Sequence, residues 1–120
     1  MKTIYICSRL KNRVLNRRIT QFLESNEFAV HLPERDTPQS DPDEIFTGNL
    51  NAIRTCDVLL AVLKGGGLDF GFEVGYAFGL GKPILGFLED ASYRDDPMLA
   101  GAISKTVSSI EELGDVLVSK

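Results

Sequence analysis

Histidine is nearly missing from this chain: His31 is the single copy in 120 residues. A Ser-His-Asp triad is therefore excluded unless His31 itself serves, and a zinc site is left short of its usual nitrogen ligands, so no metal is expected. His31 is read as a strand-end residue without chemistry. Cysteine is almost as scarce. Cys7 ends one expected strand and Cys56 precedes another, with no CxxC spacing and no companion histidine, which reads as two small buried hydrophobes in a reducing compartment. Basic residues are outnumbered 13 to 17, leaving a formal charge of −4, and a chain without a basic excess is a poor binder of phosphate backbones. DNA and RNA are excluded as expected partners. No apolar run approaches the ~18 residues of a membrane span, and the N-terminal run is too short for a signal peptide. The expectation is a cytoplasmic protein with no membrane partner. Internal repeats and low-complexity tracts are lacking as well.

What is present is the composition of a globular domain, 43% hydrophobic and 25% charged, in a chain with room for one core and no separate substrate domain, so residues 1–120 are read as a single domain. Strand and helix patterns alternate. Thr3–Cys7 reads as a first strand, followed by an amphipathic helix carrying Leu15, Ile19, Phe22 and Leu23 on one stripe. Phe28–Leu32 reads as a second strand ended by Pro33. The polar segment Glu34–Asp43, with Pro38 and Pro42 and little to bury, reads as a mobile surface loop. A second helix from Pro42 or Asp43 to about Thr55 turns Ile45, Phe46, Leu50 and Ile53 inward and leads into a buried strand, Asp57–Leu63. A third helix is expected from about Gly71 to Leu80, stopped by Gly81 and Pro83, before a fourth strand, Pro83–Leu88. A short helix near Pro97–Ile103, a short strand Lys105–Val107 and a last helix with Ile110, Leu113 and Leu117 inward complete the pattern, capped through Ser108 and Glu111 or Ser109 and Glu112. Such alternation implies an α/β, doubly wound, Rossmann-like or flavodoxin-like parallel sheet of about five strands with helices on both faces.

The most informative stretch runs from Gly65 to Pro83. It enters a helix through a glycine-rich loop at the carboxyl end of a buried strand, where open α/β sheets bind ligands, and it carries Glu73 in what reads as the helix's first turn. At that place the helix macrodipole favours an ionised carboxylate by ~0.3–1 kcal/mol, and an ionised carboxylate is what a nucleophile needs. Two phosphate-loop patterns fail against these glycines: Phe70 stands where GxGxxG needs glycine, while Tyr76 and Pro83 break GxxxxGK[ST]. Lys82 then decorates a helix end. This topology can bring three further polar groups together with Glu73. Asp69 lies four residues earlier on the loop as a candidate proton-handling partner, Asn49 sits on the inward stripe of its helix with Ile45 and Ile53, and Tyr5 faces the side of the sheet opposite to Ile4 and Ile6. Each also has a plain structural reading: dipole partner, turn residue, satisfied amide and core aromatic.

At these residues the chain resembles the nucleoside 2-deoxyribosyltransferase family and its relatives, the nucleoside 5'-monophosphate N-glycosidases. Lys2-Thr-Ile-Tyr-Ile resembles the family's first strand with its active-site tyrosine, here Tyr5. The segment Asn49 to Leu60 is similar to its helix-to-strand segment, and Gly71-Phe-Glu73-Val-Gly-Tyr-Ala with Gly81-Lys-Pro83 to the signature around its nucleophilic glutamate. The resemblance implies cleavage of an N-glycosidic bond without metal or organic cofactor. Glu73 would attack C1' of a 2-deoxyribosyl group of a nucleoside or nucleotide, Tyr5 would position it, and an acceptor base or water would take the sugar. It also implies a homo-oligomer, dimer or higher, with shared active sites, in which Asp96 of Asp96-Pro-Met98 would hold the 5' end of a neighbour's sugar. The catalytic set is then Glu73, Tyr5, Asn49 and Asp69, and the substrate-binding set Ser8, Arg9, Gly67, Gly71 and Asp96. Departures are plain too. Many members have Asp where this chain has Asn49, which would mark a non-catalytic nucleotide-binding module if the chemistry were lost with it, and members often have Asp at the position of Gly67, which Asp69 would compensate unless base recognition differs. In the glycosidase branch a Ser/Arg-containing loop after the first strand binds a 5'-phosphate. Ser8 and Arg9, with Lys11 or Arg13, would take that part, unless the cations form a solvated face.

Overall fold

A computed structural model of the protein describes residues 1–89 and 96–118. Five strands form one sheet: β1 (Thr3–Cys7), β2 (Ala29–His31), β3 (Val58–Val62), β4 (Ile84–Phe87) and β5 (Lys105–Val107). All four pairings are parallel and the order is β2-β1-β3-β4-β5, the flavodoxin-like doubly wound arrangement. The expected fold class is the observed one. In this order the chain reverses direction across the sheet between β1 and β3, so the crevice outside their carboxyl ends is where a ligand belongs.

Alternation along the two central strands divides the core. Ile4 and Ile6 of β1, with Val58, Leu60 and Val62 of β3, face α1 (Arg13–Ser25) and α6 (Ile110–Val118), meeting Leu15, Ile19, Leu23 and Leu113. Tyr5 and Cys7, with Leu59 and Ala61, face α3 (Pro42–Thr55) and α4 (Leu68–Gly79), meeting Ile53, Phe70, Val74 and Ala77. Tyr5 is thus on the opposite side from Ile4 and Ile6, as the period of two requires. Both cysteines are free and buried. Lys82, between α4 and β4, donates to the carbonyl of Cys56, the residue that ends α3, at 2.7 Å. The last helix uses the Ser109 pairing, with the Glu112 amide donating to Ser109 Oγ at 3.1 Å and the Glu112 carboxylate reaching back to the Ser108 amide at 2.9 Å.

Three local expectations need correction. The helix holding Glu73 starts at Leu68, not near Gly71, because the backbone leaves its positive-φ glycines at Gly67 (φ 123°) and turns helical at once. Glu73 therefore lies in the second turn and Asp69 in the first, not on the loop. The segment after β2 is not a loop with little to bury: it holds the short helix α2 (Pro33–Asp36), and Thr37 is buried. Phe46 is 54% exposed instead of facing the core, and its ring lies against Phe72, itself exposed and stacked on Tyr76.

Candidate active site

The switch-point crevice is a cavity of about 650 Å³ whose lining includes Ser8 and Arg9 from the end of β1, Asn49 from α3, and Gly67, Asp69 and Glu73 around the start of α4. Glu73 is half-buried and held from two sides. The Tyr5 hydroxyl donates to Oε1 at 3.0 Å, and Asn49 Nδ2 donates to Oε2 at 3.4 Å. Residues from β1, α3 and α4, distant in sequence, thus meet at one carboxyl group.

Burial raises the pKa of Glu73 above the ordinary carboxylate range, and Asp69 adds to the rise, while hydrogen bonds from Tyr5, Cys7 and Asn49 oppose it. Desolvation outweighs what a macrodipole contributes in the second turn, where its effect has already decayed. Burial is also the main reason the Tyr5 hydroxyl titrates far above its usual range, with the neighbouring Glu73 charge second, so Tyr5 remains a proton donor to the carboxylate. The Cys7 thiol, fully buried, is raised for the same two reasons in the same order. A carboxylate raised in pKa and gripped by two neutral donors has the basicity and orientation that an oxygen nucleophile needs.

The glycine loop forms one wall. Arg9 Nη1 donates to the Gly65 and Gly66 carbonyls, both at 3.2 Å, and a Cβ on Gly67 would meet the same nitrogen at 3.2 Å. The loop can lie this close to Arg9 because it carries no side chains there. Gly71 and Asp96 are placed elsewhere. They line a second groove, between α4 and α5 (Pro97–Ala102), which shares Gly66, Gly67 and Phe70 with the first cavity. The Asp96 carboxylate caps α5, accepting from the Met98 amide at 3.0 Å and the Leu99 amide at 3.2 Å. Among the described residues no group of three or more His, Cys, Asp or Glu side chains is placed to hold a metal ion.

The family model for nucleoside 2-deoxyribosyltransferase matches residues 4–113. The chain belongs to the nucleoside 2-deoxyribosyltransferase family. No curated protein matches it in sequence. Solved structures share the fold at low identity. The 2-deoxyribosyltransferase of Bacillus psychrosaccharolyticus is 17% identical with a TM-score of 0.74, over 92% of this chain and 89% of that one. The Clostridium botulinum CMP N-glycosidase is 19% identical with a TM-score of 0.74, over 98% of each. A conserved protein from Enterococcus faecalis V583 is 20% identical with a TM-score of 0.71, over 96% of each. Among the described residues no helix is long and apolar enough to cross a membrane.

Membership of this family leaves one part of the site unannounced. Behind Asn49, Thr37 Oγ1 donates to Oδ1 at 2.7 Å and itself lies 2.7 Å from His31 Nε2. The sequence reads His31 as a strand-end residue without chemistry and gives no sign of this hydrogen bond. The missing signal was tertiary: Thr37 sits in a proline-bounded polar stretch with no periodicity, and only the Cβ-free Gly48 beside Asn49 hints that something packs closely there.

Proposed function

We propose that the protein cleaves the N-glycosidic bond of (deoxy)nucleosides through a covalent glycosyl-Glu73 intermediate and passes the sugar to another base or to water. The reading is carried by one observation: Glu73, in the switch-point cavity, is desolvated yet gripped at both oxygens by neutral donors, Tyr5 at 3.0 Å and Asn49 at 3.4 Å. A Glu73 oxygen attacks C1', the C1'–N bond breaks, and its electron pair leaves with the base, which takes a proton. Asp69, four residues before Glu73 on the same helix face and lining the same cavity, is the group assigned to that proton. In the second step the acceptor base or water attacks C1', gives up a proton to Asp69, which the first step left deprotonated, and Glu73 departs as the carboxylate. Tyr5 holds its neutral donor form throughout, so it can follow the charge on Glu73 as the ester forms and breaks. Asn49 contributes orientation, since an amide has no titrating proton.

A second reading, hydrolysis of (deoxy)nucleoside 5'-monophosphates, is favoured by Ser8 and Arg9 on the cavity wall. Arg9 uses Nη1 to hold the glycine loop, which fixes the guanidinium plane beside the cavity for an anionic group. Self-association completes the proposal. Leu68, Phe72 and Phe46 are exposed beside the Glu73 cavity and Met98 and Phe78 along the second groove, an apolar surface suited to a second copy of the chain. Asp96, in that second groove, would act on a neighbour's site and not on its own.

Incubation with a 2'-deoxynucleoside and a free base, and separately with a deoxynucleoside 5'-monophosphate in water, separates the readings. Base exchange supports transfer, phosphate-dependent base release supports the glycosidase, and binding without turnover in either arm overturns the catalytic proposal.

A further inference from the structure

Four side chains close a circuit on Glu73. Its two donors, Tyr5 and Asn49, are joined behind the site by His31 and Thr37: the Tyr5 and His31 rings stack with centroids 5.5 Å apart and planes at 8°, His31 Nε2 meets Thr37 Oγ1 at 2.7 Å, and Thr37 donates to Asn49 at 2.7 Å. Thr37 has a single hydroxyl proton and gives it to Asn49, so His31 must be the donor in its own contact, which fixes the Nε2–H form. Every proton in this arm then points toward Glu73.

That polarity decides something packing cannot. The two ends of the Asn49 amide are nearly the same size, so steric fit does not choose which end meets the carboxylate. A flipped amide would set a carbonyl oxygen against Glu73. With His31 Nε2–H donating to Thr37, the hydroxyl gives its own proton onward, so Asn49 meets it with Oδ1 and turns its NH₂ end to Glu73. Thr37 in turn is held in place: it is buried within a largely exposed segment, and a Cβ on Gly48 would lie 2.8 Å from its Cγ2, so the helix omits a side chain where Thr37 docks.

We propose that Thr37 and His31 are positioning residues for Glu73, Thr37 by orienting the Asn49 amide and His31 by donating to Thr37 while supporting the Tyr5 ring. This rests on Glu73 being the nucleophile. The titratable groups bearing directly on Glu73 are Tyr5 and Cys7 of β1 and Asp69 of α4, with Asn49 the neutral donor from α3; His31 stands one ring behind, facing Asp36 and Arg35. Removing the Thr37 hydroxyl also takes away the hydrogen-bond partner of His31, so the His31 ring signals are followed beside the Glu73 carboxyl.

The test reads Glu73 directly. Its side-chain carboxyl ¹³C signal, assigned by its loss in Glu73→Gln, is titrated without substrate in the wild type, Thr37→Val, Thr37→Ser and His31→Phe. Thr37→Val keeps the volume and removes the hydroxyl, and the Glu73 midpoint is expected to rise by about one pH unit as a donor to the charged form is lost. Thr37→Ser restores the wild-type midpoint. His31→Phe keeps a ring over Tyr5, removes the Nε2 donor and moves the midpoint the same way by less. A Thr37→Val midpoint equal to wild type, or a Thr37→Ser midpoint equal to that of Thr37→Val, overturns the proposal. Should Thr37→Val not fold, ¹⁵N spectra of wild-type His31 decide: the Nε2–H tautomer is required, and Nδ1–H with a bare Nε2 overturns the circuit. Because no step needs turnover, a protein inactive on every nucleoside but showing these shifts would sink the proposed reaction and leave the positioning intact. Where turnover occurs, the acid limb of kcat/KM is expected to move with the Glu73 midpoint.

Discussion

Replacing Asn49 by Asp introduces the carboxyl group that many members of the family carry at this position, and the geometry sets the size of the effect. Asn49 Nδ2 is 3.4 Å from Glu73 Oε2, so the new oxygen falls at about the separation of two carboxylates sharing one proton. At an effective dielectric near 20, two like charges this close repel by on the order of 4 kcal/mol, equivalent to roughly 3 pH units in the upper titration of the pair. The pair is expected to keep one proton through neutral pH. Thr37 still donates to the far oxygen, so the shared proton lies on the side facing Glu73 and the cavity, where it is available to a departing base. General acid catalysis of that kind contributes on the order of 10²–10⁴ in rate, and base release from deoxynucleosides in Asn49→Asp is expected to rise by at least tenfold. Stability provides the second readout. A carboxyl pair whose upper midpoint is raised by folding is at its most stabilising below the unfolded carboxylate range and loses that contribution as pH rises through the folded midpoint. The Tm of Asn49→Asp should match wild type near pH 4 and fall progressively below it toward pH 9, by on the order of 10 °C. The assay is base release by absorbance and thermal unfolding by circular dichroism, both across that pH range. A Tm difference that does not vary with pH, together with slower base release, would refute the reasoning and make Asn49 part of a differently adapted site.

Three other outcomes follow from the same geometry. Tyr5→Phe removes the 3.0 Å donor to Glu73 Oε1 and leaves the ring free to stack on His31, so kcat is expected to fall about 10–100-fold, the range for a lost hydrogen bond to a charge, with near-wild-type circular dichroism. Gly67→Ala places a Cβ at φ 123° and 3.2 Å from Arg9 Nη1, and thermal unfolding should register a loss of about 1–3 kcal/mol; an unchanged Tm would mean the loop relaxes freely. Sedimentation should give a dimer or larger, and mixing Glu73→Gln with Asp96→Ser should restore part of the activity once subunits exchange. Serine is chosen there because it can still cap α5, whereas alanine would add a folding loss of about 1 kcal/mol. No recovery despite proven exchange would remove Asp96 from the neighbour's site.

The parts of this molecule legible in sequence are those governed by short-range period. The two-residue alternation of Thr3–Cys7 put Tyr5 on the face away from Ile4 and Ile6, and the unbroken apolar run ending at Leu63 marked a strand buried on both faces, which located the crevice and brought Tyr5, Asn49 and Glu73 together. What escaped depends on contacts across the fold. The start of α4 at Leu68 is set by where positive-φ glycines end, which composition alone does not mark. The pKa of Glu73 was expected to follow the macrodipole but follows burial, because a 12-residue helix packed on a sheet desolvates its second turn. Phe46 has helical spacing with Ile53 yet sits at the margin of its stripe, where its ring meets Phe72 instead of the core. Thr37 had no periodic neighbour at all and acquires its place only from His31 and Asn49.

The central claim is that Glu73 carries the sugar. Acid quenching during turnover of a 2'-deoxynucleoside, followed by mass spectrometry of the intact and digested protein, addresses it without reference to any other residue. The expected result is one glycosyl group per active site on the peptide containing Glu73, absent in Glu73→Gln, which should fold and not turn over. Turnover by Glu73→Gln at the wild-type rate, with no sugar on that peptide in either protein, would contradict it.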